Sequence, residues 1–332
     1  MHSSQESCNG RRRIVAMLAA GLSLVSALTV AQTPPGYPDR PIRFIVAYPP
    51  GGGTDVFARL VAQHISKTVG PVVIENHPGA AARIGTNLAA RAKPDGYTFL
   101  FAANAELVIA PSIVKAMPYV PSKDLEPITL IGSVPYFLAA HPSFGPNTLA
   151  EFVAHAKANP GKLGTATMGT ASANHLLSEQ FNEVAGISTV HVGYAGSAPQ
   201  MTALLGGHVN YAFLTPYPLE LVKAGKLKVI AVASPRRSER APDTPTFPEA
   251  GMKEVSSGSW FGILAPVGTP RGIMERIRTE AIAATKTPEF AKVALERDMQ
   301  IQTGTPAEFR QYMADETAKW QRIVTKIGLT SE

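Results

Sequence analysis

The strongest constraint in this sequence is an alternation that is played twice. Short apolar runs closed by glycine- or proline-bearing turns are followed by segments whose apolar residues recur at helical spacing. Ile42 to Tyr48 is a nearly continuous apolar run, as in a strand buried on both faces. Val56, Phe57, Leu60, Val61 and Ile65 then fall on one helical face. Val72 to Ile74, a helix around Ile84 to Ala92 and a strand at Tyr97 to Ala102 complete a β-α-β-α-β unit. That order predicts a parallel sheet with helices on both faces.

The series restarts after Leu125. Ile128 to Ala140 holds apolar segments broken by Gly132 and Pro135. Thr148 and Glu151 form a capping box ahead of a helix that Asn159-Pro160-Gly161 ends. Strands are predicted over 163–167, 189–192, 209–214 and 227–233, with helices through Leu176 to Phe181 and Met201 to Leu205. A proline-rich connection over 235–249 leads to a strand at Trp260 to Ala265. Trp260 itself suits a cleft wall or a core equally. Helices then fill about 271–285, 288–297 and 307–327, the last opened by a second capping box at Thr305 and Glu308. The 332 residues have room for two domains. The expected division places 32–135 and 260–332 in one lobe and 136–259 in the other. The chain would cross between them near 131–140 and 256–265.

Arg11, Arg12 and Arg13 precede an apolar stretch, Ile14 to Val30, ending in the small residues Thr29-Val30-Ala31. Residues 1–31 therefore read as a secretory signal peptide, cleaved near Ala31 and sending the chain to the periplasm. Gly21, Ser23, Ser26 and Thr29 make the stretch weak as a permanent span. The single cysteine, Cys8, lies in that leader, which excludes disulfides, thiolate ligands and cysteine nucleophiles from the mature chain. The net charge is +6, yet no Lys/Arg cluster follows Arg13, so nucleic acid is not an expected partner. The histidines are scattered without ligand spacing, and neither a G-x-S-x-G elbow nor an H-E-x-x-H motif occurs. No catalytic residue, metal or cofactor is assigned.

The chemistry sits in two loops. The first, PPGGGTD at 49–55, lies between a strand ending at Tyr48 and a helix. Gly51, Gly52 and Gly53 let the backbone approach a ligand, and Thr54 and Asp55 open the helix, whose N-terminal end favours an anion. Asp55 either offsets that helix end or positions the loop or an amino group. The second loop, MGTASANH at 168–175, also follows a strand and precedes a helix. Gly169, Thr170, Ser172, Ala173, Asn174 and His175 supply backbone and side-chain donors there. Both loops fall at carboxyl ends of strands, where open α/β sheets bind ligands. Facing each other across a cleft, they would clamp one anion. The rival reading is a periplasmic hydrolase of a small carboxylate ester or amide, using Ser172 with His175.

The sequence resembles the Bug family of periplasmic binding proteins, the receptors of tripartite tricarboxylate transporters. The resemblance is carried by YPDRPIRFIVAYPPGGGTD at 37–55, PDGYTFLF at 94–101, PSKDLEPITLIG at 121–132, HVGYAGSAP at 191–199, LLGGHVNYAF at 204–213, RAPDTPTFPEAG at 240–251 and WFGILAPVGTP at 260–270. It implies an α/β, two-lobed periplasmic-binding-protein (Venus flytrap) fold, each lobe a sheet flanked by helices, with a small carboxylate held between the two loops. It also implies a monomer without cofactor, docking on the membrane permease of such a transporter or on a sensor kinase. Three departures stand out. Ala81-Ala82-Arg83 replaces the usual Gly-Gly-Asn, and Arg83 is either a bidentate partner for a second carboxylate or a solvated surface cation. Asn210 replaces the usual Asp of GGxVD, removing a partner for a ligand ammonium. Gly193-Tyr194-Ala195-Gly196 alters the HVPYKG pattern.

Overall fold

The structure is a computed structural model that describes residues 36–329 apart from 171, 195, 217 and 256. The expected signal peptide, 1–31, lies outside the described residues. No described helix is long and apolar enough to cross a membrane.

The first unit begins with β1 (Ile42–Val46), α1 (Gly53–Thr68), β2 (Val72–Asn76), α2 (Arg83–Ala90) and β3 (Thr98–Ala103). β1 pairs in parallel with β2 and β3. A π-helical turn, Ala105–Ile109, and two short helices, α3 (Ala110–Ile113) and α4 (Pro121–Asp124), lead into β4 (Leu125–Ala140). The second unit contains α5 (Leu149–Ala158), β5 (Gly164–Thr167), α6 (Ala173–Ala185), β6 (Val190–Gly193), α7 (Ser197–Leu205), β7 (Tyr211–Leu214), α8 (Leu219–Lys223) and β8 (Lys228–Ala233). β9 (Gly258–Pro266), α9 (Arg271–Ala284), α10 (Pro288–Glu296), β10 (Gln300–Ile301) and α11 (Pro306–Lys326) complete the chain.

The strand order is β2-β1-β3-β9-β4-β7-β5-β6, with β8 and β10 also pairing β4. β4 is one 16-residue strand, not the broken segments the sequence suggested. Two shifts of register against β9, after Pro127 and after Leu130, absorb the irregularity that Gly132 and Pro135 advertise. Gly132 is needed because a Cβ there would come within 2.5 Å of the Gln300 carbonyl on β10. The partners of β4 change along its length: residues up to Pro135 pair with β9, and residues from Tyr136 pair with β7 and β8. The molecule thus consists of two helix-flanked lobes with a strand in common.

Strand alternation explains the continuous apolar runs. On β1 and β3, Phe44, Val46, Phe99 and Phe101 face α1, α9 and α10, while Ile45, Leu100 and Ala102 face a second core with Trp260, Phe309 and Trp320. Trp260 is fully buried against Phe309, so it belongs to the core. Leu138, Phe152, Phe181, Tyr211 and Phe213 form the equivalent core of the second lobe. Leu176, near the start of α6, packs into the first lobe's second core.

Candidate ligand-binding site

The first loop is held by its own helix. Gly51 has φ +84, which favours glycine, and its N–H donates to Asp55 Oδ2 at 2.8 Å. Gly52, the N-cap of α1, has an ordinary φ of −67. Asp55 is only 2% exposed. Its Oδ2 also accepts from Arg59 Nε at 2.9 Å, and its Oδ1 accepts from Asn76 Nδ2 at 2.8 Å. Burial pushes this carboxyl upward, but the hydrogen bonds from Arg59, Gly51 and Asn76 outweigh it and hold the group below its ordinary range. Asp55 is therefore a loop-positioning anion with its lone pairs engaged.

The carboxyl ends of β1, β2 and β3 meet beside this loop. Asn76 Nδ2 also donates to the Tyr48 carbonyl. The Tyr48 hydroxyl donates to Glu106 Oε2 at 2.7 Å, and the Ala103 N–H donates to Glu106 Oε1 at 2.7 Å. Glu106 is fully buried on the π-helical turn. Burial raises its pKa from 4.5 to about 7, against the pull of its hydrogen bonds. Sequence reasoning missed Glu106 and Asn76. The available signal for Glu106 was a lone carboxylate inside the apolar run AANAELVIAP. Between about pH 4.5 and 7 the folded chain keeps a proton that the unfolded chain has released. The group's stabilisation is complete below 4.5 and is lost as the pH rises through 7. Glu106→Gln should therefore gain stability relative to wild type between pH 5 and pH 8, by up to about 3 kcal/mol, as read by urea unfolding at both pH values. A constant gap would show that Glu106 does not titrate in this window.

The second loop is built differently. Gly169 has φ +105. Ser172, the N-cap of α6, directs its hydroxyl at the Gly169 carbonyl (2.6 Å) and Asn174 Oδ1 (2.7 Å). Asn174 Oδ1 also accepts from the Met168 N–H. Ala173 is partly buried between the cores of both lobes, and Thr170 is exposed. His175 is not presented by the loop. It is 5% exposed and stacked on His191 with ring centroids 3.9 Å apart. Burial, then the neighbouring His191, lowers its pKa to about 4, so it is neutral at physiological pH.

Two other predicted residues lie apart. Asn210 sits at the opposite, amino-terminal edge of β5 and β7, where its Oδ1 accepts the Gly164 N–H at 2.8 Å. Its distance along the strand from Leu214 keeps it from the loops. Arg83 opens α2, partly buried, and its Nε folds back onto the Ala80 carbonyl at 2.7 Å. Ala80, Ala81 and Ala82 before it all have positive φ, and at Ala81 and Ala82 the expected family pattern has glycine.

Helices α1, α6 and α7, which open at the carboxyl edges of the sheets, have no side-chain cap. By contrast Thr148, Thr287 and Thr305 cap α5, α10 and α11. A cavity of about 370 Å³ lies at the carboxyl ends of β5 and β7, between the starts of α6 and α7. Its walls include Met168, Met201, Leu214, Thr215, Pro218 and Leu221. Among the described residues no group of three or more His, Cys, Asp or Glu is placed to hold a metal ion.

Residues 57–329 match the model of the tripartite tricarboxylate transporter family receptor. Protein BugT of Bordetella pertussis is 34% identical over 295 residues, covering 88% of this chain and 90% of that protein. The solved periplasmic binding protein BugD shares 32% identity with a TM-score of 0.72, over 89% of this chain and 100% of its own. R. palustris Rpa4515, solved with adipate, shares 28% identity with a TM-score of 0.75, over 89% of this chain and 99% of its own. By family match, sequence identity and fold, this chain belongs to the tripartite tricarboxylate transporter receptor family.

Proposed function

We propose that this chain captures a small carboxylate in the periplasm and delivers it intact to the membrane permease of a tripartite tricarboxylate-type transporter. The carboxylate sits between the loops at 49–55 and 168–175, on uncapped backbone N–H groups of α1 and α6. The observation that carries this reading is that uncapped helix starts meet at the carboxyl edges of both sheets. Helices α1 and α6 leave their first-turn donors there free of side-chain caps; elsewhere α5, α10 and α11 close theirs with threonine, while α9 does not. The adipate in Rpa4515, and the malate in the 27% identical MatC of Rhodopseudomonas palustris, support the ligand class. Lobes divided as 32–135 with 260–332, and 136–259, fit the change of β4 partners at Pro135 and Tyr136. Ligand contacts to both lobes favour the closed arrangement, which the permease reads.

The hydrolase reading is disfavoured by the loop itself. The Ser172 hydroxyl is directed at Gly169 and Asn174, and the His175 ring lies against His191. Incubation with carboxylates and their esters, followed by mass spectrometry, tests the choice. The expected result is a bound acid recovered unchanged and no release of acid from esters or amides. Turnover of an ester that Ser172→Ala abolishes would overturn the receptor reading.

A further inference from the structure

Glu106 is a buried carboxyl that the two-loop clamp leaves without a task. It is fully buried on the π-helical turn, and among the described residues no cation is paired with it. Its two oxygens have partners of different kinds. The Ala103 N–H donates to Oε1 and the Tyr48 hydroxyl donates to Oε2, each at 2.7 Å. Tyr48 is partly exposed, and the first loop begins at the next residue. Its carbonyl accepts from Asn76, which also donates to Asp55 of that loop. The ionisable groups facing Glu106 are phenols: Tyr48 from the end of β1, and Tyr119, whose hydroxyl donates to the Glu106 carbonyl at 2.9 Å. Tyr136 of β4 and Arg83 of α2 stand behind those two phenols. On α11, which packs against the π-helical turn, Glu316 is engaged by Lys319 and by the indoles of Trp260 and Trp320.

This asymmetry fixes where a proton goes. A backbone N–H can only donate, so Oε1 remains an acceptor whether or not the carboxyl is ionised. A proton taken up by Glu106 therefore resides on Oε2 and points at the Tyr48 oxygen. The bond between the two residues reverses: Glu106 donates, Tyr48 accepts, and the phenolic hydrogen is released to another acceptor. Resting on the carboxylate-receptor reading above, we infer that Glu106 is a positioning residue that acts through Tyr48. One proton taken from solvent turns the Tyr48 hydroxyl to the ligand carboxylate, so capture of the acid and protonation of Glu106 go together. With Glu106 ionised, the hydroxyl is committed inward and the buried charge repels a second anion at the adjoining loop. Burial already brings the empty carboxyl to about 7, which sets the exchange at neutral pH.

Isothermal calorimetry with adipate, malate and benzoate, which stay ionised over the range used, tests this. The affinity of the wild-type protein for the tightest of the three should fall at least about tenfold from pH 6.5 to pH 8.5. Titration at pH 7 in two buffers of different ionisation enthalpy should show about half a proton taken up per acid bound. Glu106→Gln donates to Tyr48 through its amide as the protonated acid would. It should bind at pH 8.5 about as tightly as the wild type binds at pH 6.5, with no proton exchange. Tyr48→Phe should weaken binding at pH 6.5 by roughly fivefold, the loss of one hydrogen bond. Circular dichroism establishes that both variants are folded before titration. A flat wild-type profile, a slope that survives in Glu106→Gln, or full affinity in Tyr48→Phe would overturn the inference and leave the carboxylate receptor standing. Failure of all three acids to bind the wild-type protein at pH 6.5 would overturn both.

Discussion

Replacing Gly52 with valine should leave the protein folded and weaken its cognate acid at least about tenfold, or about 1.4 kcal/mol. Folding is expected because Gly52 already has the φ of an ordinary residue, −67. A Cβ there meets only the Pro49 carbonyl, at 3.5 Å, which is ordinary contact. The need for positive φ falls on Gly51 instead. Valine at 52 therefore acts through space: it stands over the first-turn N–H groups of α1 and keeps a carboxylate away from them. The second loop requires another probe, because Gly169 at φ +105 is strained by any side chain. Ala173→Pro serves. Ala173 is the first residue of α6, where proline fits the helix and deletes one N–H donor. Its preceding residue, Ser172, is already extended. Both variants should lose affinity by calorimetry while keeping the wild-type circular dichroism spectrum. If one of them folds and retains full affinity, the ligand is not clamped from both sides.

Asp55→Ala should be costly in a different way, lowering stability by about 3 kcal/mol. The substitution strands the Gly51 N–H and Asn76 Nδ2, both of which now donate to a carboxylate that is 2% exposed. Arg59 contributes less, since its side chain is half exposed and regains water when the carboxylate is gone. The pH dependence carries a clear sign. The folded carboxyl is held below its ordinary value of 3.8, so its stabilisation is present above 3.8 and is lost as pH falls through the folded pKa. The gap between Asp55→Ala and wild type, measured by urea unfolding, should be full at pH 7 and shrink in acid. A gap of less than about 1 kcal/mol at pH 7 would mean that the loop is held by something else.

The features legible in the sequence were those with local causes. The capping boxes at Thr148–Glu151 and Thr305–Glu308 form as their residue spacing requires, because both partners lie within one helical turn. The buried strands announced themselves as apolar runs because both sheet faces are covered. What escaped depends on distant partners. Gly132 and Pro135 looked like strand breakers, and only the shifted register against β9 lets β4 continue through them. Glu106 was hidden because a carboxylate in an apolar run acquires meaning only when Tyr48, 58 residues earlier, meets it. Asn210 stood out only as a departure from the GGxVD pattern; its bond to Gly164 is what places it at the amino-terminal end of its strands. His175 stood in a promising loop by number, but the helical turn after Asn174 carries its ring down onto His191.

The shared strand has a mechanical consequence. Binding proteins that open and close are often pictured as two bodies on a slack tether, and slack tethers let each body melt alone. Here β4 contributes ladder bonds to both sheets, and β9 runs beside its first part. Loss of either sheet exposes an unpaired edge on the very strand that the other sheet needs. The two lobes should therefore unfold together, as one calorimetric transition rather than two.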